Sequence, residues 1–176
     1  MKRLVWMTVI YLMAATIVHA QSPAADPVSS TLRQVLERFA NNLVATAEEV
    51  PADKYSYHPT PAQMTIGQTM QHVADVNNFA CSKVTGDPAP ERLKISETDK
   101  AKLEEALKAS MDFCKQAFAK LTDAKLGDPV TMFNGRQGTR FSAALEVTND
   151  LIDHYAALAV YLRLNDLLPP TAQRKK

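Results

Sequence analysis

From Val28 to Leu164 the apolar residues recur at three- and four-residue spacings in four stretches. Proline, glycine or a short hydroxyl residue bounds each stretch, which predicts four amphipathic helices. The first opens at Asp26-Pro27, a capping residue followed by proline at the first helical position. It carries the face Val28, Leu32, Val35, Phe39 and Leu43 and ends near Glu49. Pro51 to Pro61 is a proline-rich connector. Thr65-Ile66-Gly67-Gln68 has the spacing of a capping box and opens the second helix, which runs to about Val84 ahead of Gly86 and Pro88. Ser96-Glu97-Thr98-Asp99 supplies a hydroxyl cap and an acidic first turn for the third, whose stripe is Leu103, Leu107, Ser110, Cys114, Ala117 and Leu121. That helix stops before Gly127-Asp128-Pro129. Residues 130 to 138, with Asn134-Gly135 and Gly138, read as a loop or short hairpin. Thr139 then caps the fourth helix, with the row Phe141, Leu145, Thr148, Ile152, Tyr155, Ala159 and Leu162, and Pro169-Pro170 ends the fold. The pattern predicts an all-α four-helix bundle with no internal repeat.

The start of the chain does not fit this pattern. Lys2 and Arg3 precede an apolar run from Leu4 to Val18 and a small-residue end, Val18-His19-Ala20, which reads as a secretory signal peptide cleaved after Ala20. The run is shorter than the roughly 20 residues that a transmembrane helix needs, so no stable membrane span is expected after cleavage. The expected organisation is therefore a signal peptide over 1–20, a linker over 21–27, one bundle over 28–170 and a flexible tail over 171–176, in a periplasmic or secreted protein. The formal net charge is +1, and loss of Lys2 and Arg3 with the leader takes it to −1. The remaining charges are mixed along the chain, which excludes a nucleic-acid footprint. A monomer or a homodimer fits.

Cys81 and Cys114 are the only cysteines, and an even count in an exported chain suggests a disulfide. Their positions bear on topology. Were the second and third helices a simple antiparallel hairpin, the two thiols would lie some 20 Å or more apart, beyond bonding. If the connection from Thr85 to Ser96 instead crosses the bundle, the helices run parallel and each cysteine stands about 15 to 18 residues after its own helix start. Twelve extended residues reach about 40 Å, enough to span a helix of roughly 28 Å. The alternative is two free thiols packed as small hydrophobes.

Candidate chemistry concentrates in the fourth helix. Asp150 and His154 stand four residues apart, on one face and about 6 Å apart along the axis. His72, in the second turn of the second helix, is a third group able to join them. Asp75, Asn149 and Asp153 are candidates for orienting the imidazoles. His58, in the connector, reads as a surface or packing residue, and Met64, Met70, Met111 and Met132 as core or loop packing. A lone histidine in such a place is ordinarily a partly buried donor to a carboxylate or carbonyl. Three compatible residues together raise the metal reading, because a metal site needs several ligands in one place.

The order of these features resembles the DinB-like (damage-inducible B) superfamily. The resemblance rests on the connector Pro51-Ala52-Asp53-Lys54-Tyr55-Ser56-Tyr57-His58-Pro59-Thr60-Pro61 and on Thr65-Ile66-Gly67-Gln68-Thr69-Met70-Gln71-His72-Val73. It continues with His154 followed by Val160-Tyr161-Leu162-Arg163-Leu164-Asn165 and Pro169-Pro170, and covers most of residues 28 to 170. It implies an up-down-down-up bundle and a divalent-metal site of one histidine from the second helix and two ligands one turn apart on the fourth. The family's helix-four pair is typically two histidines separated by three residues. The second matches His154, while the first falls on Asp150, and Tyr155-Ala156-Ala157 also departs from the family pattern.

A carboxylate at position 150 gives a two-histidine, one-carboxylate set with open positions for water or substrate. It favours harder ions such as zinc, manganese or iron over copper, with nickel also admitted by the imidazoles. The resemblance thus implies an exported metal-dependent hydrolase or transferase acting on a small molecule. The alternative is a non-catalytic bundle that binds a small ligand or a protein, in which His72, Asp150 and His154 hold the core in register through hydrogen bonds. Neither a nucleophilic serine with its base nor a phosphate-binding glycine loop is present.

Overall fold

The computed structural model describes residues 25–173. The expected signal peptide, most of the linker and the last three residues of the tail lie outside the described residues. Four long helices make up the fold: α1 (Pro27–Glu49), α2 (Ile66–Thr85), α3 (Lys100–Ala119) and α4 (Arg140–Leu164). A two-stranded hairpin, β1 (Pro129–Thr131) and β2 (Gln137–Thr139), precedes α4, with Val130 opposite Gly138 in an antiparallel register. Among the described residues no helix is long and apolar enough to cross a membrane.

Hydrogen bonds between helix ends fix the directions. Lys100 Nζ, at the start of α3, donates to the carbonyls of Glu48 and Val50 at the end of α1, while Arg33 near the start of α1 reaches the Phe118 and Leu121 carbonyls. These two helices are antiparallel. Along α2 and α3, by contrast, Thr65 meets Glu97, Asn77 meets Ser110 and Cys81 meets Cys114 at matching heights. Those helices run parallel, joined by a connector that retraces the length of α2. Tyr161 donates to the Met64 carbonyl and Arg140 to the Val84 carbonyl, so α4 opposes α2. With α1 touching α3 and α4 but lying diagonally from α2, the bundle is up-down-down-up.

The cysteine argument from connector length agrees with this arrangement. The Cys81 and Cys114 sulfurs lie at disulfide distance, with Cα atoms 5.2 Å apart, within the range a disulfide spans.

Local signals account for the helix starts. Thr65 and Gln68 form a complete capping box on α2, and Thr139 and Ser142 form another on α4, each satisfying donors that a helix leaves unpaired. The start of α1 differs from expectation. Asp26 sits in the left-handed region at φ 70° and makes no side-chain cap. Asp123, from the turn after α3, instead accepts from Val28 N, Ser29 N and the Ser29 hydroxyl. Asp26 in turn accepts from Asp123 N, so the two ends are locked together. The third helix begins one turn later than its hydroxyl cluster suggests, with Asp99 accepting from Lys102 N.

The core comprises Leu36, Leu43, Met70, Leu103, Leu107, Met111, Phe118, Leu151, Leu158 and Leu162, all essentially removed from water, at roughly 1.5–3 kcal/mol for each such side chain. The row expected on α4 is only half right. Phe141, Leu145 and Ile152 are exposed, and the buried face runs Ala144, Val147, Leu151, Tyr155, Leu158 and Leu162. Apolar residues lie on both faces of α4, so periodicity alone does not select the inward one. On α1, Val28 is likewise exposed and Leu36 is buried in its place. Beyond α4 the chain folds back: Thr171, assigned from sequence to a flexible tail, is held by its hydroxyl and its backbone N–H to the Tyr155 hydroxyl.

Candidate metal centre

His72 lies on the α4-facing side of α2, and Asp150 and His154 lie one turn apart on the α2-facing side of α4. Because these helices are antiparallel neighbours, the three side chains converge. His154 Nε2 is 3.3 Å and His72 Nε2 3.5 Å from the same oxygen, Asp150 Oδ1. The imidazole centroids are 4.8 Å apart with their planes at 72°. One ligand atom from each residue falls within 4.8 Å of the other two. Asp150 and His154 are largely buried, at 16% and 12% side-chain exposure, whereas His72 at 42% opens to solvent.

The distances test what this group is suited to hold. A good N–H···O hydrogen bond closes to 2.7–3.2 Å, and both contacts are longer. Two atoms that each bind an ion at about 2.1 Å in near-tetrahedral geometry stand about 3.4 Å apart, which is the separation found. The other carboxylate oxygen, Asp150 Oδ2, is buried and has no hydrogen-bond partner among the described residues. An unpaired buried carboxylate oxygen is costly, and an ion relieves that cost. Two imidazole nitrogens and a carboxylate suit zinc, manganese, iron or nickel. The three residues therefore fit a divalent metal.

Electrostatics favour an ionised carboxylate at the centre. The Asp150 carboxylate in polar contact with His72 raises the imidazole pKa above its ordinary 6.5, against the opposing effect of partial burial, and Asp75 adds to the rise while Arg92 reduces it. Burial alone would raise the Asp150 carboxyl, but the polar contacts from His154 and His72 outweigh it and hold the group below 3.8. The carboxylate is thus kept ionised, as a ligand must be.

The residues expected to orient the imidazoles fall around the centre without bonding to it. Asp75 accepts from Gln71 Nε2 at 3.0 Å and from Arg92 Nε at 2.9 Å. Asn149 and Asp153 are exposed and line a cleft of about 450 Å³ on the α4 side, with Asp150, Glu146 and Arg136. Arg136 pairs with Glu146 at 3.3 Å, and Arg140 with Asp128 at 3.0 Å. His58 stays in the connector, its Nδ1 2.7 Å from the Thr60 carbonyl.

A second cleft, of about 390 Å³, opens beside His72 and is walled by Val76, Phe79, Pro90, Arg92 and Phe133 among others. None of these was singled out from sequence. The available signal was the spacing of His72, Val76 and Phe79 at i, i+4 and i+7, which sets all three on one helix face.

An up-down-down-up bundle with a histidine, aspartate and histidine at the seam of α2 and α4 defines the class of protein. The sequence profile of the DinB superfamily matches residues 35–158, and the chain belongs to that superfamily. It is similar in structure to a DinB-like protein from Bacillus subtilis, with a TM-score of 0.63 and 22% identity over 81% of this chain and 99% of that one. It is also similar to a conserved protein from Enterococcus faecalis, with a TM-score of 0.55 and 16% identity over 76% of this chain and 94% of that one. At these identities the likeness establishes the fold. No curated protein matches the chain significantly.

Proposed function

We propose that the protein is an exported metal-dependent enzyme that binds one divalent ion through His72, Asp150 and His154 and carries out hydrolysis or group transfer on a small molecule. The observation that carries this reading is the approach of both Nε2 atoms to Asp150 Oδ1 at ligand-to-ligand distances beside the orphaned Oδ2. When bound, such an ion supplies a Lewis acid that polarises a substrate oxygen and lowers the pKa of a coordinated water or thiol. Three protein ligands leave positions open for substrate, as catalytic rather than structural sites do.

The chain's own residues supply the rest of the centre. Asp150 contributes the single negative charge, His154 holds the inner side, and His72 borders the open cleft. The ion pair of Asp75 with Arg92 stands one turn along α2 from His72 and places a fixed guanidinium at the mouth. Export is supported by the leader-like first 20 residues and by the cysteine pair, since disulfides persist in oxidising compartments.

The test is metal content of the mature protein, produced by export and without a tag, measured by elemental mass spectrometry beside His72→Ala and Asp150→Ala. Near-stoichiometric divalent metal that is lost in both variants supports the reading. Failure to bind zinc, manganese, nickel or iron(II) when each is added leaves a non-catalytic bundle.

A further inference from the structure

The outward face of α4 is apolar although the fold leaves it uncovered. Of the ten large apolar side chains exposed among the described residues, five lie on this helix: Phe141, Leu145, Ile152, Val160 and Leu164. Phe141 and Leu145 are one turn apart, and Ile152, the exposed Ala156 and Val160 follow at further four-residue steps. They form one stripe, roughly opposite the buried Leu151, Leu158 and Leu162. Beside it lies α1, which packs against α4. Its Thr31 and Arg38, seven residues apart, are exposed. Arg38 covers the Phe39 ring, and Phe39 meets Tyr155 of α4 edge-on, so α1 extends the face with a polar margin.

Area, register and charge select a second copy of the chain as the cover. With 25 residues α4 is about 37 Å long. Two helices packed about 8–10 Å apart present a face about 20 Å wide, or roughly 700 Å² per subunit, and a stable interface takes about 800 Å² from each partner. Ile152 is the middle residue of α4. A two-fold axis beside it lays the two α4 helices antiparallel, bringing Leu145 to the height of Val160 of the partner subunit and Phe141 to that of Arg163 of the partner subunit. The small Ala156 then stands opposite Asn149. Such self-matching is what an isologous interface requires. Antiparallel pairing also sets the exposed Arg163 at an aromatic ring, a favourable cation–π contact, where parallel pairing would oppose Arg163 to its own copy. Asp153, next to the axis, borders the cleft that holds Arg136. With Glu146 and Asp153 and no lysine, α4 is unlike the basic helices that lie on anionic lipid.

We infer that the protein is a homodimer joined through the outward face of α4, antiparallel about a two-fold axis at Ile152 and bordered by Thr31 and Arg38 of α1. Leu145 and Asn149 also line the cleft that reaches Asp150, so the partner subunit walls that approach and leaves the cleft beside His72 open to solvent. This consequence for access rests on the metal reading above; the interface does not.

Sedimentation velocity of the mature protein without added metal, from about 1 to 100 μM, is the test. A dimer is expected. Leu145→Asp and Val160→Asp, both at exposed positions, are expected to weaken it by about tenfold or more while keeping the helical circular dichroism of the parent. Should either variant unfold, the other carries the test. Cysteine substitutions fix the orientation. Ile152→Cys is expected to give a disulfide-linked dimer on mild oxidation, whereas Leu164→Cys, about 36 Å from its own copy in an antiparallel pair, stays unlinked. A parent protein that remains monomeric throughout, including one that instead binds phosphatidylglycerol vesicles, overturns the proposal. So does a dimer undiminished in folded Leu145→Asp and Val160→Asp. Linking of Leu164→Cys without linking of Ile152→Cys overturns the antiparallel arrangement.

Discussion

His154 Nε2 stands 3.3 Å from Asp150 Oδ1 across one turn of α4, while Asp150 Oδ2 beside it is buried with no hydrogen-bond partner among the described residues. A carboxylate used only to orient a histidine would gain from closing that distance and placing its second oxygen near a donor. Charge at position 150 therefore matters more than shape. Asp150→Asn, which keeps the shape and removes the charge, is expected to weaken zinc affinity by more than the roughly 10–100-fold that loss of an outer-sphere partner costs. Asp150→His is expected to retain binding and to shift preference from manganese toward nickel and copper. Competition titrations of both variants check this, and equal affinity of Asp150→Asn and the parent protein would count against a metal role for Asp150.

The same cluster sets a pH dependence. In the metal-free protein the folded-state pKa of His72 is raised, so its pairing stabilises the fold fully below 6.5 and is lost as pH rises through the higher folded value. The folded pKa of Asp150 is lowered, so its contribution is full above 3.8 and is lost as pH falls through the lower folded value. The pair therefore stabilises the metal-free chain most between 3.8 and 6.5. A metal requires neutral imidazoles, so its affinity rises with pH in the range where that contribution fades. Melting temperatures of zinc-loaded and metal-free protein should diverge as pH increases above 6.5, and His72→Ala should remove the divergence.

The reach of sequence is clear at particular residues. Thr65 with Gln68, and Thr139 ahead of α4, announce their helices because the capping interaction is local and needs only neighbours along the chain. The pairing of Cys81 with Cys114 implied parallel helices because connector length and helix rise are chain properties. His72, Asp150 and His154 could be named together because Asp150 and His154 share one helix face at i and i+4 and the family resemblance implies a further ligand from the second helix. The inward face of α4 was not legible, since Ile152 and Leu145 compete with Leu151 and Val147 on a helix with apolar residues on both faces. Nor were the cap on Ser29 by Asp123, the Asp75–Arg92 pair or the Phe79–Phe133 stack, all of which arise only when distant loops settle on the bundle.

Gly67 shows how tightly one such loop is seated. A Cβ at this position would overlap the Glu97 carbonyl and come within 2.9 Å of Glu97 Cα. The close approach is fixed on both sides, because Thr65 donates to Glu97 and Gly67 N donates to the Tyr55 carbonyl. Gly67→Ala is expected to destabilise the protein by about 1–3 kcal/mol, as overpacking does, even though alanine is the better helix former. Urea unfolding checks the sign, and a stability gain would show that the connector moves aside freely.

Cys81 and Cys114 close a loop whose ends are 33 residues apart in sequence. Closing such a loop in the unfolded chain is worth about 3–4 kcal/mol by the chain-entropy argument. Both cysteines are buried, where α2 packs against α3. The double variant Cys81→Ala/Cys114→Ala loses the link and, through the sulfur atoms removed from a packed core, a further increment. It should therefore be less stable than the reduced parent protein, which in turn is less stable than the oxidised one. Urea midpoints of the three, taken with zinc absent, rank them. An oxidised protein no more stable than the reduced one would overturn the chain-entropy expectation.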